Sequence, residues 1–100
     1  MSTMRNSVML IGRPDKDVLE APVAFNLIVT EKIRDRETNG YKNFSQSFRC
    51  VCENETTASK MVGRVQKGKQ IALDGSLRVD KEAHCEILIN DFFLIDKPDK

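Results

Sequence analysis

Apolar and polar positions alternate along most of this chain, with the period of two that marks half-buried strands. In residues 5–12 both parities are apolar: Val8 and Leu10 on one, Met9 and Ile11 on the other. A strand buried on two sides, or one with a face at a subunit contact, carries that pattern. Pro14, Asp15 and Asp17 then mark a turn. Residues 23–33 read as a second strand, with Phe25, Leu27 and Val29 on its core face and Asn26 and Thr30 on the other. The charged stretch 34–42 contains Asn39-Gly40, a hairpin signal, and residues 44–52 return as a third strand. Two long strands joined by a charged tip predict a protruding ribbon.

Helical spacing occurs once, at Ala58, Met61, Val62 and Val65. Asn54 or Thr56 can cap the start, and Gly68 stands where a glycine ends a helix of about three turns. Lys60, Arg64 and Lys67 form its solvated face. Residues 70–79 give a fourth strand, with Ile71, Leu73, Leu77 and Val79 pointing one way. Gly75 lies inside it and predicts the bulge or bend that closing a small barrel requires. A short turn at 80–83 leads to a fifth strand at 85–95, whose alternation slips near Asp91.

Three strands, one helix and two strands make an all-β protein. The expected architecture is a five-stranded OB-fold Greek-key barrel, with the helix between strands three and four closing one end. An SH3-like barrel also has five strands, but the interposed helix fits the OB order better. One hundred residues hold one domain, placed at 1–95, followed by a short polar tail at 96–100. So small a core leaves room for stability gained by association with a second copy.

Composition narrows the function classes. No apolar run approaches the roughly 20 residues that cross a bilayer, so no membrane partner is expected. The first residues lack the long apolar stretch of a signal peptide, and a cytoplasmic protein is the expectation. Sixteen basic residues face fifteen acidic ones, so only the placement of charge can argue for nucleic acid. The three cysteines, Cys50, Cys52 and Cys85, do not read as a disulfide framework. Cys50 and Cys52 share a strand face, whereas adjacent His84 and Cys85 point apart, which does not suit a metal site. No Ser/His/Asp set, paired-carboxylate motif or phosphate-cradling glycine loop is present, so neither an enzyme nor a cofactor is expected.

Three stretches carry a resemblance. They are Asn6-Ser7-Val8-Met9-Leu10-Ile11-Gly12-Arg13, then 25–35 ending in Thr30-Glu31-Lys32-Ile33-Arg34-Asp35, then Lys67-Gly68-Lys69-Gln70-Ile71-Ala72-Leu73-Asp74-Gly75-Ser76-Leu77-Arg78. In this order and spacing, over about residues 4 to 95, the chain resembles the bacterial single-stranded DNA-binding protein family. The resemblance implies an OB barrel that wraps single-stranded DNA without sequence preference, in replication, recombination or repair. It implies a homotetramer built as a pair of dimers through the first strands, placing Ser7, Met9 and Ile11 at the contact.

The chain also departs from that family. The positions of the main stacking aromatics correspond here to Ile33, Ser47, Glu53 and Glu82, and tryptophan is absent. Stacking contributes ~1–3 kcal/mol per base, so two lost stacks weaken binding by orders of magnitude. The loop after the fourth strand, about 80–84, is short where the family has a long hairpin. The family's acidic C-terminal tail has no counterpart, so tail-mediated recruitment of replication enzymes is not implied.

What remains is electrostatic. Arg5, Arg13, Lys32, Arg34, Arg36, Lys42, Arg49, Lys69, Arg78 and Lys81 are the candidate phosphate contacts. Ser47 shares a strand face with Arg49, which matches a basic position of the family's binding surface. Tyr41 and Phe44 are candidate replacement platforms, Phe44 equally a subunit contact. Phe48, Phe92 and Phe93 read as core or interface packing. Glu31, Asp35, Glu37 and Glu53 lie among the basic residues and weaken a cationic groove. A primosomal replication protein B-like dimer fits the missing tail and tryptophans. A protein-interaction module that kept the barrel and lost the ligand is the reading from another class.

Overall fold

The computed structural model describes residues 4–98. Its elements are β1 (Val8–Pro14), β2 (Val23–Asp35), β3 (Gly40–Cys52), α1 (Glu55–Met61), β4 (Ile71–Val79) and β5 (Cys85–Leu94). The strands close into a barrel in the order β1-β2-β3-β5-β4. All pairings are antiparallel except β3 with β5, which run parallel where Cys50 and Val51 meet Ile87 and Leu88. This is the expected five-stranded OB barrel with its helix between β3 and β4.

Closure depends on two glycines. At Gly12, β1 leaves β4 to pair with β2, and a Cβ there would lie 2.4 Å from the Ile28 carbonyl oxygen. At Gly75, a Cβ would lie 2.2 Å from the Leu88 carbonyl oxygen. The β4–β5 register shifts between Asp74 and Gly75, opposite Asp91, where the alternation of the sequence slips.

Inward alternation fills the barrel. Phe25, Leu27 and Val29 from β2, Cys50 and Cys52 from β3, Ile71 and Leu73 from β4, and Ile87 and Ile89 from β5 form one cluster. Ala58 and Met61 of α1 close it from one end. Asn54 caps α1, its side chain accepting from the Thr57 N–H at 3.0 Å.

Several boundaries differ from the sequence pattern. α1 has seven residues rather than about three turns, because Gly63 turns left-handed (φ 79°) just past Val62. Val65 is buried nonetheless, from a turn: Val18 donates to its carbonyl at 2.9 Å, and the Gly63 N–H donates to Val18. Gly68 (φ 77°) belongs to that docked segment and donates to Pro14 rather than ending the helix. The ribbon strands reach Asp35 and Gly40, with a four-residue tip at 36–39. Leu77 and Val79 are exposed, unlike Ile71 and Leu73 on the same parity. The last β1 pairing with β4 is Val8 with Gly75, so β1 does not run alongside Leu77 and Val79, and both are left uncovered. There the Asn6 side chain bonds both the N–H and the carbonyl of Leu77, at 2.8 and 2.7 Å, in place of a strand. Among the described residues, no helix is long and apolar enough to cross a membrane.

Asp96 is tied down rather than loose in the polar tail: its N–H and that of Ile95 donate to Gln70. Asp99 and Lys100 of that tail lie outside the described residues.

Candidate nucleic-acid interface

Residues paired across antiparallel strands lie on one face. On the outer face of β2 and β3 the pairs are Asn26 with Arg49, Ile28 with Ser47, Thr30 with Ser45, Lys32 with Asn43, and Arg34 with Tyr41. Thr30 Oγ1 and Ser45 Oγ are 2.8 Å apart and share a hydrogen bond. The result is a polar row running from the barrel wall to the ribbon tip, with cations at both ends and the exposed Tyr41 ring at the tip. Phe44 and Lys42 project from the opposite face, against Glu31 and Ile33. Phe48, paired with Leu27, packs against the core.

The row continues around the barrel. Arg49 Nε lies 3.7 Å from Glu86 Oε2 on β5. The other Glu86 oxygen accepts from Arg78 of β4, at 2.9 Å from Nε and 2.7 Å from Nη2. Arg78 Nη1 donates to Glu53 Oε1 at 2.6 Å. Two arginines and two glutamates thus form one chain of ion pairs across β3, β5 and β4. These carboxylates hold the Arg78 guanidinium firmly protonated, above its already high ordinary range, chiefly through the Glu53 hydrogen bond and then that of Glu86. Glu53 in turn is held below the usual carboxylate range by Arg78.

The remaining candidates divide by partner. Arg13 donates to the Gly68 carbonyl at 2.6 Å and to Asp96 at 3.2 Å. Asp96 also accepts from the Gln70 N–H at 2.8 Å, so this pair joins the start of β4 to the end of β5. That N–H first, and the charge of Arg13 after it, hold the Asp96 carboxyl below its ordinary range. Arg34 donates to Asn39 Oδ1 at 2.8 Å, and these two with Arg36 line a cleft of about 500 Å³ at the ribbon tip. Arg5, Lys32, Arg36, Lys42 and Lys81 make no ion pair with another described residue. Lys69 lies beside Asp96.

The structure therefore gathers Lys32, Arg34, Tyr41, Ser47 and Arg49 on one face, with Arg78 beside them. It places Lys42 and Phe44 behind that face and commits Arg13 to the fold. Of the four corresponding stacking positions, Ser47 lies in the row, Glu53 in the ion-pair chain and Ile33 on the opposite face. Glu82 sits in the β4–β5 turn, where Asp80 Oδ1 accepts from the Glu82 and His84 N–H groups at 2.9 Å.

Solved structures share this fold. The single-stranded DNA-binding protein of Plasmodium falciparum, solved in complex with single-stranded DNA, is 27% identical to this chain. The match covers 96% of this chain and 97% of that one, with a TM-score of 0.71. The chain has the fold of the single-stranded DNA-binding proteins. The small single-stranded DNA-binding protein of Streptomyces coelicolor matches at 19% identity over 92% of this chain and 95% of its own, TM-score 0.64. The mitochondrial single-stranded DNA-binding protein Rim1 of S. cerevisiae matches at 14% identity over 94% and 99%, TM-score 0.71. No protein-family model matches the chain, and no curated protein does.

Glu86, which holds Arg78 and approaches Arg49, is the member of this candidate surface that sequence reasoning missed. Its signal was present: a turn centred near Glu82 places Arg78 opposite Glu86, as the β4–β5 register shows. The other open surface is apolar. Ile11, Ala72 and Phe93 are in register across β1, β4 and β5, with Met9 beside Ile11, and Met9, Ile11 and Phe93 are exposed. Ser7, also exposed, precedes β1. Within one chain, then, β1 is covered on one face only, and its second apolar parity is open.

Proposed function

We propose that this chain binds single-stranded DNA without sequence preference, laying the strand along the outer row of β2 and β3 and holding it chiefly by its phosphates. One observation carries the reading: Lys32, Arg34 and Arg49 share a face with the hydroxyl and amide groups between them, on a fold matched almost end to end by a protein solved with single-stranded DNA. Backbone contacts of this kind are sequence-blind and salt-sensitive. Tyr41 is the one aromatic ring in register with the row, so stacking adds little beyond the tip.

The likeness to DNA-binding proteins supports a binding role rather than catalysis. Replication, recombination or repair is the setting that follows from the ligand. The open β1 face supports self-association, as a dimer or a tetramer, through Met9, Ile11 and Phe93; light scattering reads which. The test of the function is fluorescence anisotropy with labelled oligo-dT and a duplex of the same length at low salt. Saturable binding that prefers the single strand supports the proposal, and no binding to either refutes it.

A further inference from the structure

Each of the three nitrogens of Arg78 has a carboxylate partner. Its Nε and Nη2 donate to Glu86, and its Nη1 donates to Glu53. The two carboxylates differ in setting: the Glu86 side chain is 14% exposed, whereas that of Glu53 is 64% exposed. Glu86 is thus part of the barrel wall, holding Arg78 on one side and approaching Arg49 on the other. Glu53 reaches Arg78 from solvent, after the end of β3. A carboxylate and a phosphate offer a guanidinium the same acceptor geometry. Glu53 is the more exposed of the two carboxylates, so its hold on Nη1 is the one that an incoming phosphate can contest.

We propose that Glu53 is a built-in competitor for the phosphate at Nη1 of Arg78, which DNA engages by displacing it. This deepens the reading of the same surface as a phosphate-binding one and rests on it. Glu86 keeps Arg78 in place during the exchange. Glu53 acts through Arg78, as a positioning residue that sets how many phosphates the surface holds. An exposed ion pair is weak enough for a phosphate to replace. The exchange leaves Glu53 to recruit a counterion, so in the native protein this contact releases little salt.

The test compares Glu53→Gln with Glu31→Gln, an equal charge change on the opposite ribbon face, using oligo-dT across a salt series. Glu53→Gln is expected to tighten binding about two- to five-fold, and to steepen the slope of log K against log salt by about 0.7. Glu31→Gln is expected to leave the slope unchanged. In an Arg78→Gln background, adding Glu53→Gln is expected to bring no gain. Equal effects of Glu53→Gln and Glu31→Gln, or a full gain without Arg78, would overturn the inference while DNA binding itself stood. A native protein that binds no oligo-dT at any salt overturns the underlying function instead.

Discussion

Phe44 and Arg49 share β3 but project from opposite faces of the ribbon, Phe44 against Glu31 and Arg49 against Asn26. A strand lying on one face cannot use both side chains at once. Arg49→Ala is therefore expected to weaken oligo-dT binding and to flatten the salt slope by about 0.7, the loss of one phosphate contact. Phe44→Ala is expected to change neither. Combining the two should reproduce Arg49→Ala alone, and a synergistic loss in anisotropy titrations would place the strand elsewhere.

Gly75 is irreplaceable for a steric reason. A methyl group there meets the Leu88 carbonyl oxygen at 2.2 Å, and backbone on both strands must move. Gly75→Ala is expected to cost about 2–4 kcal/mol of stability in chemical denaturation. At Gly40 the nearest atom is Thr38 Oγ1 at 3.7 Å, an ordinary contact. Gly40→Ala is expected to be neutral within about 0.5 kcal/mol. Equal losses at the two sites would contradict the closure described above.

The strand faces were legible in the sequence because a period of two assigns them without knowledge of partners. Leu77 and Val79 show the limit: alternation says which way a side chain points, not whether anything covers it. Val65 shows another, since it enters the core from a turn held by Val18, at helical spacing from Met61 but outside the helix. The role of Arg13 was invisible, because its partners Gly68 and Asp96 lie 55 and 83 residues away. In the candidate site, Arg49 and Ser47 were placed together by parity. The masking of Arg78 needed the register of β5, which only the turn length encodes.

The three thiols should separate by reactivity. Burial pushes the Cys50 thiol up to about 12, and it also raises that of Cys52. Only the thiolate attacks a disulfide reagent. Native protein at neutral pH is expected to titrate one fast thiol, the exposed Cys85, with Cys50 and Cys52 appearing only on unfolding. Fast reaction of all three would contradict the packing of β3.

Acid should act through depressed carboxylates. Asp96, Asp80 and Glu53 are held below their ordinary range in the fold, Asp96 first by the Gln70 N–H and Asp80 first by the His84 N–H. A depressed folded pKa contributes stability that is present above the unfolded value of about 4 and lost as pH falls through the folded one. Thermal melting is expected to be flat from neutral pH down to about pH 5 and to fall below that. Asp96→Asn is expected to lower the neutral melting temperature and to reduce the acid-induced fall. A variant that melts with the native pH profile would contradict the role of Asp96 in joining β4 to β5.

The most direct measurement is the affinity for oligo-dT between ~50 and ~200 mM salt. With Lys32, Arg34 and Arg49 as the principal phosphate contacts, together with a basic ribbon tip, log K is expected to fall with log salt at a slope of about −2 to −3. A slope near zero with intact affinity would mean that the strand is held by something other than these cations, and would contradict the account.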